Sequence, residues 1–429
     1  MESNSSKIDA LFERRKNDPK WNTSYPLCPE NWKEFRTKQP LPFYGIEEMS
    51  FYIHIPFCKQ ICSFCEYSKI ICPNENVQKH YLQTLRRDIL SFIESLDSTI
   101  LLKGFDIGGG TPTALSEENF CLMMDIFDEG SELCRKAEDF EPSIEATFNT
   151  ISIPKIKRIV SSGIQRLSLG IQSTSSNVLG KHNREVIHTN DMSRWLDAAW
   201  SNDIKKINLD LMYGISGQDN STIDADIEVL ATLNPQQVTL YELRTNMITH
   251  KEIPDKGVLY DQYCHYYHQL ISLGYYARFG QNTFSKEPAD CGVSSYLRSR
   301  MLDGTPYKGF GTAAQSMNPR GISYNVGKKI SSIRASLSKS SFNEEFTYLL
   351  PSLEIAAKYI AIAGYNGSFS LKRVSELLAD DAERYFQDVI DYCVSKNLLY
   401  LENGRVFITE EGFRHYGAVF SLFYAADID

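Results

Sequence analysis

Two rhythms of apolar residues alternate along the first two thirds of the chain. Short runs rich in β-branched and aromatic residues recur at 51–55, 104–107, 143–148, 166–171, 206–211 and 237–243. Between them lie longer stretches with helical apolar spacing, at 77–96, 117–127, 153–161, 189–201, 221–233 and 259–273. Strand, then helix, then strand predicts a parallel sheet with helical crossovers, an α/β fold. Six units fall short of the eight that close a full barrel, so the pattern predicts a partial, open (βα)6 TIM-like barrel. Chemistry in such a sheet belongs on loops at the carboxyl ends of the strands. From about Phe346 the rhythm changes. Helical stretches at 371–378 and 382–397 precede the run 398–409, which alternates apolar and polar around Asn403-Gly404, a strong hairpin signal. Helix, helix and hairpin predict a winged-helix-like module. The expected division is an N-terminal arm (1–45), the partial barrel (46–285), a connecting segment that walls the substrate pocket (286–345) and the C-terminal winged-helix-like domain (346–429).

Composition narrows the partners. The chain has 429 residues, enough for two or three units, and its 42% hydrophobic and 23% charged content is ordinary for a globular protein. No apolar run is long enough for a membrane span, and Met1-Glu-Ser-Asn-Ser-Ser-Lys7 lacks the apolar core of a signal peptide, so a cytoplasmic location with no membrane partner is expected. A net charge of −9 argues against nucleic acid, whose phosphates are gripped by clustered Lys and Arg. Winged helices often bind DNA, but residues 346–429 carry 7 Lys/Arg against 12 Asp/Glu, a net of −5, which favours a substrate lid or packing module. Of the ten cysteines, Cys28, Cys72, Cys121, Cys134, Cys264, Cys291 and Cys393 are scattered, mostly within apolar stretches, and read as free thiols.

The other three cysteines carry the chemistry. Cys58, Cys62 and Cys65 follow the strand-like run Phe51-Tyr-Ile-His-Ile-Pro-Phe57 with the spacing C-x3-C-x2-C. A structural zinc site would want a fourth Cys or His at a suitable spacing. Cys72 is the next cysteine, seven residues on and just ahead of a Pro-Asn turn. Three thiolates in one loop suit a cuboidal [4Fe–4S] cluster with one iron left open for a small chelating ligand.

C-x3-C-x2-C after a Tyr-Ile-His-Ile-Pro-Phe strand resembles the signature of radical S-adenosylmethionine (SAM) enzymes, in the subgroup of oxygen-independent coproporphyrinogen III oxidase and its relatives. The resemblance covers roughly residues 25–424. It implies that the open iron binds SAM and that one electron cleaves SAM to methionine and a 5′-deoxyadenosyl radical, which abstracts hydrogen from substrate. It also implies a monomer, a small-molecule substrate and an electron donor such as flavodoxin or ferredoxin. Phe105-Asp-Ile-Gly-Gly-Gly-Thr-Pro112 ends the second strand, and its glycines let backbone amides approach a ligand. The segment is similar to the family's Gly-Gly-Thr-Pro turn, which implies that Gly109, Gly110 and Thr111 meet the amino group of SAM. Glu145, Gln172, Arg184 and Asp210 are polar groups at or within apolar strands or in loops, each of which, taken alone, is more often a satisfied core residue. Together they resemble the family's SAM-binding set. Tyr52 and Phe64 would lie beside the cluster and adenine. A second SAM, bound by family members, would meet Glu242, Arg244 and Gln315, although an ordinary barrel-rim ion pair explains those residues equally.

The chain departs from its best-known relatives at two places. The coproporphyrinogen oxidase carries a further cysteine two residues past the third, where this chain has Glu66-Tyr67. The heme-chaperone branch is expected to carry a His-Asn segment after the barrel, where this chain has Asp290-Cys-Gly-Val-Ser-Ser-Tyr-Leu-Arg-Ser-Arg300. The first expectation is therefore a relative that uses two SAM molecules to transfer a methyl or methylene carbon to an sp2 carbon, as class C radical methyltransferases and cyclopropanases do. Tyr241, Glu242 and His54 are the candidates for its closing proton relay. The alternatives are anaerobic porphyrin chemistry (decarboxylation or ring opening) and a heme-binding chaperone. The aromatics of 260–284 suit a flat or apolar substrate.

Overall fold

The computed structural model describes residues 4–17, 25–26, 29–243, 254–327, 329–342 and 344–424. Six parallel strands follow one another across a single sheet: β1 Glu48–Ile55, β2 Leu101–Gly109, β3 Ser143–Ala146, β4 Arg166–Gln172, β5 Lys206–Tyr213 and β6 Gln237–Glu242. Each coincides with one of the six predicted runs. The crossover helices Glu75–Glu94, Glu117–Glu132, Ile153–Ser161, Thr189–Ser201, Asn220–Leu233 and Lys256–Ser272 also stand where the apolar spacing placed them. Several start on legible caps. The Asn74, Ser116, Ser152 and Asp219 side chains each accept a first-turn backbone N–H that would otherwise lack a partner.

The sheet runs on past both ends of this array and stays open. Tyr307–Phe310 pairs parallel with β1, Gly309 opposite Tyr52, and Gln315–Asn318, Gly321–Asn325 and Glu344–Leu349 follow antiparallel. At the other edge Thr283–Ser285 pairs antiparallel with β6. The apolar pattern did not mark these strands, because they are short and several carry polar residues buried by neighbouring strands, among them Ser316, Asn318 and Ser323.

In the C-terminal part a three-stranded sheet joins Ser368–Ser370, Arg405–Ile408 and Leu399–Glu402. The hairpin turns at Asn403 (φ 50°) and Gly404 (φ 71°), and two positive φ values match the right-handed strand twist. The predicted helix 382–397 is broken into Ala382–Tyr385 and Gln387–Ser395. Phe386, buried at the break, packs edge-on against Phe423 at 5.3 Å, so tertiary packing overrides the local helical spacing.

Two large apolar cores result. One fills the space between the parallel strands and their helices. The other brings Phe12 and Trp32 from the start of the chain, Tyr307 and Ile322 from its middle, and Ile360 and Phe420 from its end into one cluster. Among the described residues no helix is long and apolar enough to cross a membrane.

Candidate active site

The cysteine loop leaves the carboxyl end of β1 and is closed by a two-residue ladder between Phe57–Cys58 and Ile70–Ile71. Its far side is pinned to the turn at 182–184. The Ser63 amide donates to the His182 carbonyl (3.1 Å), the Ser63 hydroxyl meets His182 Nδ1 (2.9 Å), and Asn183 Nδ2 donates to the Ile61 carbonyl (2.9 Å). Two protein donors point at the sulfurs: Thr111 Oγ1 at Cys58 Sγ (3.7 Å) and Arg184 Nη1 at Cys62 Sγ (3.6 Å). Burial pushes the Cys58 thiol up to about 11, the Thr111 hydroxyl opposes that, and Cys65 and Cys62 lie close enough to raise it further. Cys72 stands apart, its Sγ facing the Ala114 carbonyl (3.4 Å) and the Gln78 amide (3.4 Å).

Among the described residues, no three Cys, His, Asp or Glu side chains converge tightly enough to share a single metal ion. Thiolates at separate corners of a cuboidal cluster stand wider apart, and sulfur-directed donors are what tune such a cluster. A Cβ on Gly110 would come within 3.0 Å of Cys58 Sγ and 2.7 Å of the Phe57 carbonyl, so the glycine keeps this side of the loop clear. The donor set and its surroundings fit a [4Fe–4S] cluster held by Cys58, Cys62 and Cys65.

Beside the loop, the turn after β2 carries a correction. The Gly109 amide donates to Glu145 Oε2 (3.0 Å), the Gly110 amide to the Ile55 carbonyl (2.8 Å) and the Thr111 amide to the Phe57 carbonyl (2.8 Å). These amides are spent inside the protein, so they are not free to grip an anion. Glu145 projects from β3 across Gly108, where a Cβ would sit 2.5 Å from the carboxyl carbon. Its side chain opens to the interior space yet is ringed by protein. Burial pushes its pKa up to about 7, with the Gly109 amide opposing and Asp210 and Asp106 adding. Asp210 on β5 accepts from Ser168 Oγ (3.0 Å) and Asn208 Nδ2 (2.7 Å), and burial raises it too. Arg184 also donates to the Gly170 carbonyl, and Gln172 (φ 67°) ends β4 with its amide close over Gly170. Cys62, Thr111, Gly170, Arg184 and Met192 line a solvent-open cleft.

The remaining predicted residues divide. Tyr52 stacks on Tyr296 (5.4 Å, 18°), and its hydroxyl is 3.5 Å from His54 Nδ1. His54 is buried under Gly109, with Nε2 3.0 Å from the Ser68 carbonyl, and burial lowers its pKa, which keeps the ring neutral and committed to holding the loop. Phe64 packs with Val178, Met212, Ile215 and Leu243, beside Cys62, Cys65 and Tyr241. Glu242 accepts from Tyr213 (3.2 Å) and from Tyr416 (2.9 Å), tying β6 to the C-terminal part. Gln315 accepts from Tyr307 (2.6 Å) and Arg300 (3.1 Å). Arg244 lies outside the described residues.

The chain matches the radical SAM superfamily over residues 52–230, from β1 through the helix after β5. This stretch is a radical SAM domain. Its cofactors are a [4Fe–4S] cluster and SAM. The chain is 26% identical to heme chaperone HemW of Bacillus subtilis, over 85% of this chain and 96% of that one. It is 29% identical to heme chaperone HemW of Haemophilus influenzae over 57% of this chain, and there it spans 64% of the relative's length, a little under two thirds. The fold of the radical SAM domain and its C-terminal extension is that of coproporphyrinogen III oxidase (HemN) from Escherichia coli: TM-score 0.71 at 20% identity, over 88% of this chain and 90% of that one.

Sequence reasoning missed three residues beside the radical SAM cradle. Asp106 is buried on β2, accepts from Ser294 Oγ (2.5 Å) and from the Ser143 amide (3.2 Å), and is pushed up to about 7 by burial. A carboxylate inside Phe105–Pro112 was the same signal that marked Glu145. Arg166 is buried, with Nε donating to Gln237 (2.8 Å) and Nη1 to Ser143 (2.8 Å), and its charge reaches Asp106, Glu145 and Asp210. Arg300 sits in a polar stretch that no local pattern distinguishes.

Proposed function

We propose that this chain is an enzyme that cleaves SAM reductively and directs the resulting radical at a tetrapyrrole. The observation that carries the SAM chemistry is the three-thiol loop, pinned beside Glu145, Asp210 and Arg184 with protein donors on Cys58 and Cys62. The tetrapyrrole is supported by the relatives, named for heme and coproporphyrinogen III, and by the half-buried tyrosines Tyr52 and Tyr241, which suit a flat substrate.

When bound, the cluster and SAM supply an electron and a carbon-centred radical that takes hydrogen from substrate. The chain's own part is positioning. Cys58, Cys62 and Cys65 would hold the cluster, with Arg184 donating to the Cys62 sulfur and Thr111 to that of Cys58. The Gly109–Gly110 turn would hold the amino end of SAM. Glu145 and Asp210 set negative charge against its cationic centres. Tyr416, donating to Glu242, ties the end of β6 to the C-terminal part. A flavodoxin or ferredoxin supplies the electron.

A second reading, carbon transfer from a second SAM, is favoured by Glu66-Tyr67, which stand where the coproporphyrinogen oxidase has a further cysteine, and by the absence of histidine from 290–300. One anaerobic experiment separates the readings. The cluster is reconstituted and reduced, SAM is added with coproporphyrinogen III or hemin, and products are read by mass spectrometry. 5′-Deoxyadenosine that depends on the tetrapyrrole and vanishes in Cys62→Ala is the expected result. Accompanying S-adenosylhomocysteine or methylthioadenosine would move the assignment to carbon transfer. Hemin binding with no SAM cleavage by a fully loaded protein would leave a heme carrier.

A further inference from the structure

Arg300 is a cation with no counter-charge among the described residues. It follows the short helix Ser295–Leu297, and its Nε is buried with no hydrogen-bond partner. Nη2 donates to Gln315 Oε1 (3.1 Å), an oxygen that also accepts from the Tyr307 hydroxyl (2.6 Å). Its guanidinium carbon lies 4.8 Å from the Tyr307 ring centre and 6.0 Å from that of Tyr296. Among the described residues no carboxylate comes within ion-pair distance of it, whereas Arg298, Arg278 and Arg373 pair with Asp139, Glu402 and Glu376. A buried, unpaired charge is destabilising, and a neutral side chain of similar size would relieve the cost.

Its position gives the charge a use. Tyr296, beside Arg300, stacks on Tyr52 of β1, the strand that leads into the cysteine loop. The charges of Glu145 and of Arg300 both reach the Tyr52 phenol. The carboxylates on the Glu145 side suit a cationic cofactor. A guanidinium framed by aromatic rings, with its Nε–H unpartnered, suits a carboxylate, which accepts from a charged donor.

We propose that Arg300 anchors the substrate, taking a carboxylate carried by a flat molecule that lies against Tyr52. The assignment of that molecule as a tetrapyrrole rests on the proposed function above; the anion anchor itself does not.

The test uses the full, cluster-loaded chain with SAM, as wild type, Arg300→Met and Arg300→Lys. Probes are coproporphyrin III and its tetramethyl ester, read by fluorescence titration, and indole-3-propionate and its amide, read by thermal shift. The expected result is that wild type binds the tetra-acid at least tenfold tighter than the ester. Arg300→Met removes the preference, Arg300→Lys retains only part of it, and Arg300→Met melts no lower than wild type. Equal binding of acid and ester, unchanged in Arg300→Met, overturns the anchor and leaves the tetrapyrrole reading standing. No binding of either porphyrin, with stabilisation by the indole acid but not its amide that disappears in Arg300→Met, overturns the tetrapyrrole and upholds the anchor. A lower melting temperature in Arg300→Met with no acid preference in wild type makes Arg300 a structural brace and overturns the proposal.

Discussion

Glu145 stands in the wall of the interior with Asp210 and Asp106 close enough to raise its pKa, and Arg166 close enough to oppose them. Its carboxyl is pushed from an ordinary 4.5 up to about 7, chiefly by burial. Between those values the folded chain keeps a proton that the unfolded chain has released, so stability falls as pH rises through the window. Its contribution is fully present below the unfolded value and gone above the folded one. In the cluster-loaded chain without SAM, Tm is expected to fall between pH 5 and 8. Glu145→Gln should flatten part of that slope, leaving the part due to Asp106, which titrates in the same range. The same variant should weaken SAM binding, read by calorimetry, because a neutral amide no longer offsets the ligand's positive charge. The residue was legible in the sequence as a carboxylate in an apolar run; its neighbours were not, since β2, β3 and β5 meet only in the folded sheet.

At the scale of elements, the turn after β2 and the hairpin of the C-terminal sheet are both written in glycine, for different reasons. Gly108 leaves room for Glu145 to lie across β2. Gly108→Ala should displace the carboxylate and raise the KM for SAM about tenfold or more while the melting temperature moves far less; equal loss in both would make the position purely structural. Gly404 has open space around its missing Cβ and φ of 71°, so Gly404→Ala costs conformational strain alone, about 1 kcal/mol, seen as a small drop in Tm with SAM cleavage unchanged. The six strands and their crossover helices were legible because each repeats a simple period long enough to read. Tyr307–Phe310 and Gln315–Asn318 were not, since four-residue strands with buried serine and asparagine carry no period and are held by pairing to distant strands.

On the scale of the whole molecule, the second apolar core is the controlling feature. It takes Tyr296, Tyr307, Met317 and Ile322 from the segment that extends the barrel sheet and packs them with Ile355, Ile360 and Phe420 from the C-terminal helices. A chain ending at Leu350 would expose that surface. It is expected to aggregate or lose its cooperative melting transition, checked by soluble yield and calorimetry. A soluble, cluster-binding truncation would show instead that the barrel folds alone. The acidic C-terminal part should leave the mobility of duplex DNA unchanged in a gel-shift assay.

The order of parallel strands, the hairpin and the cluster cysteines follow from sequence, because local period and close spacing in the chain are themselves the physical cause of those features. Convergence across distance belongs to the tertiary structure. Glu242 bridges Tyr213 and Tyr416, the Gly109–Thr111 amides are consumed by two different segments, and the middle of the chain shares a core with both ends. The unpartnered Nε of Arg300 is likewise a property of everything packed around it. A buried charge, or a satisfied one, is defined by what surrounds it in space, and those surroundings come from parts of the chain hundreds of residues apart.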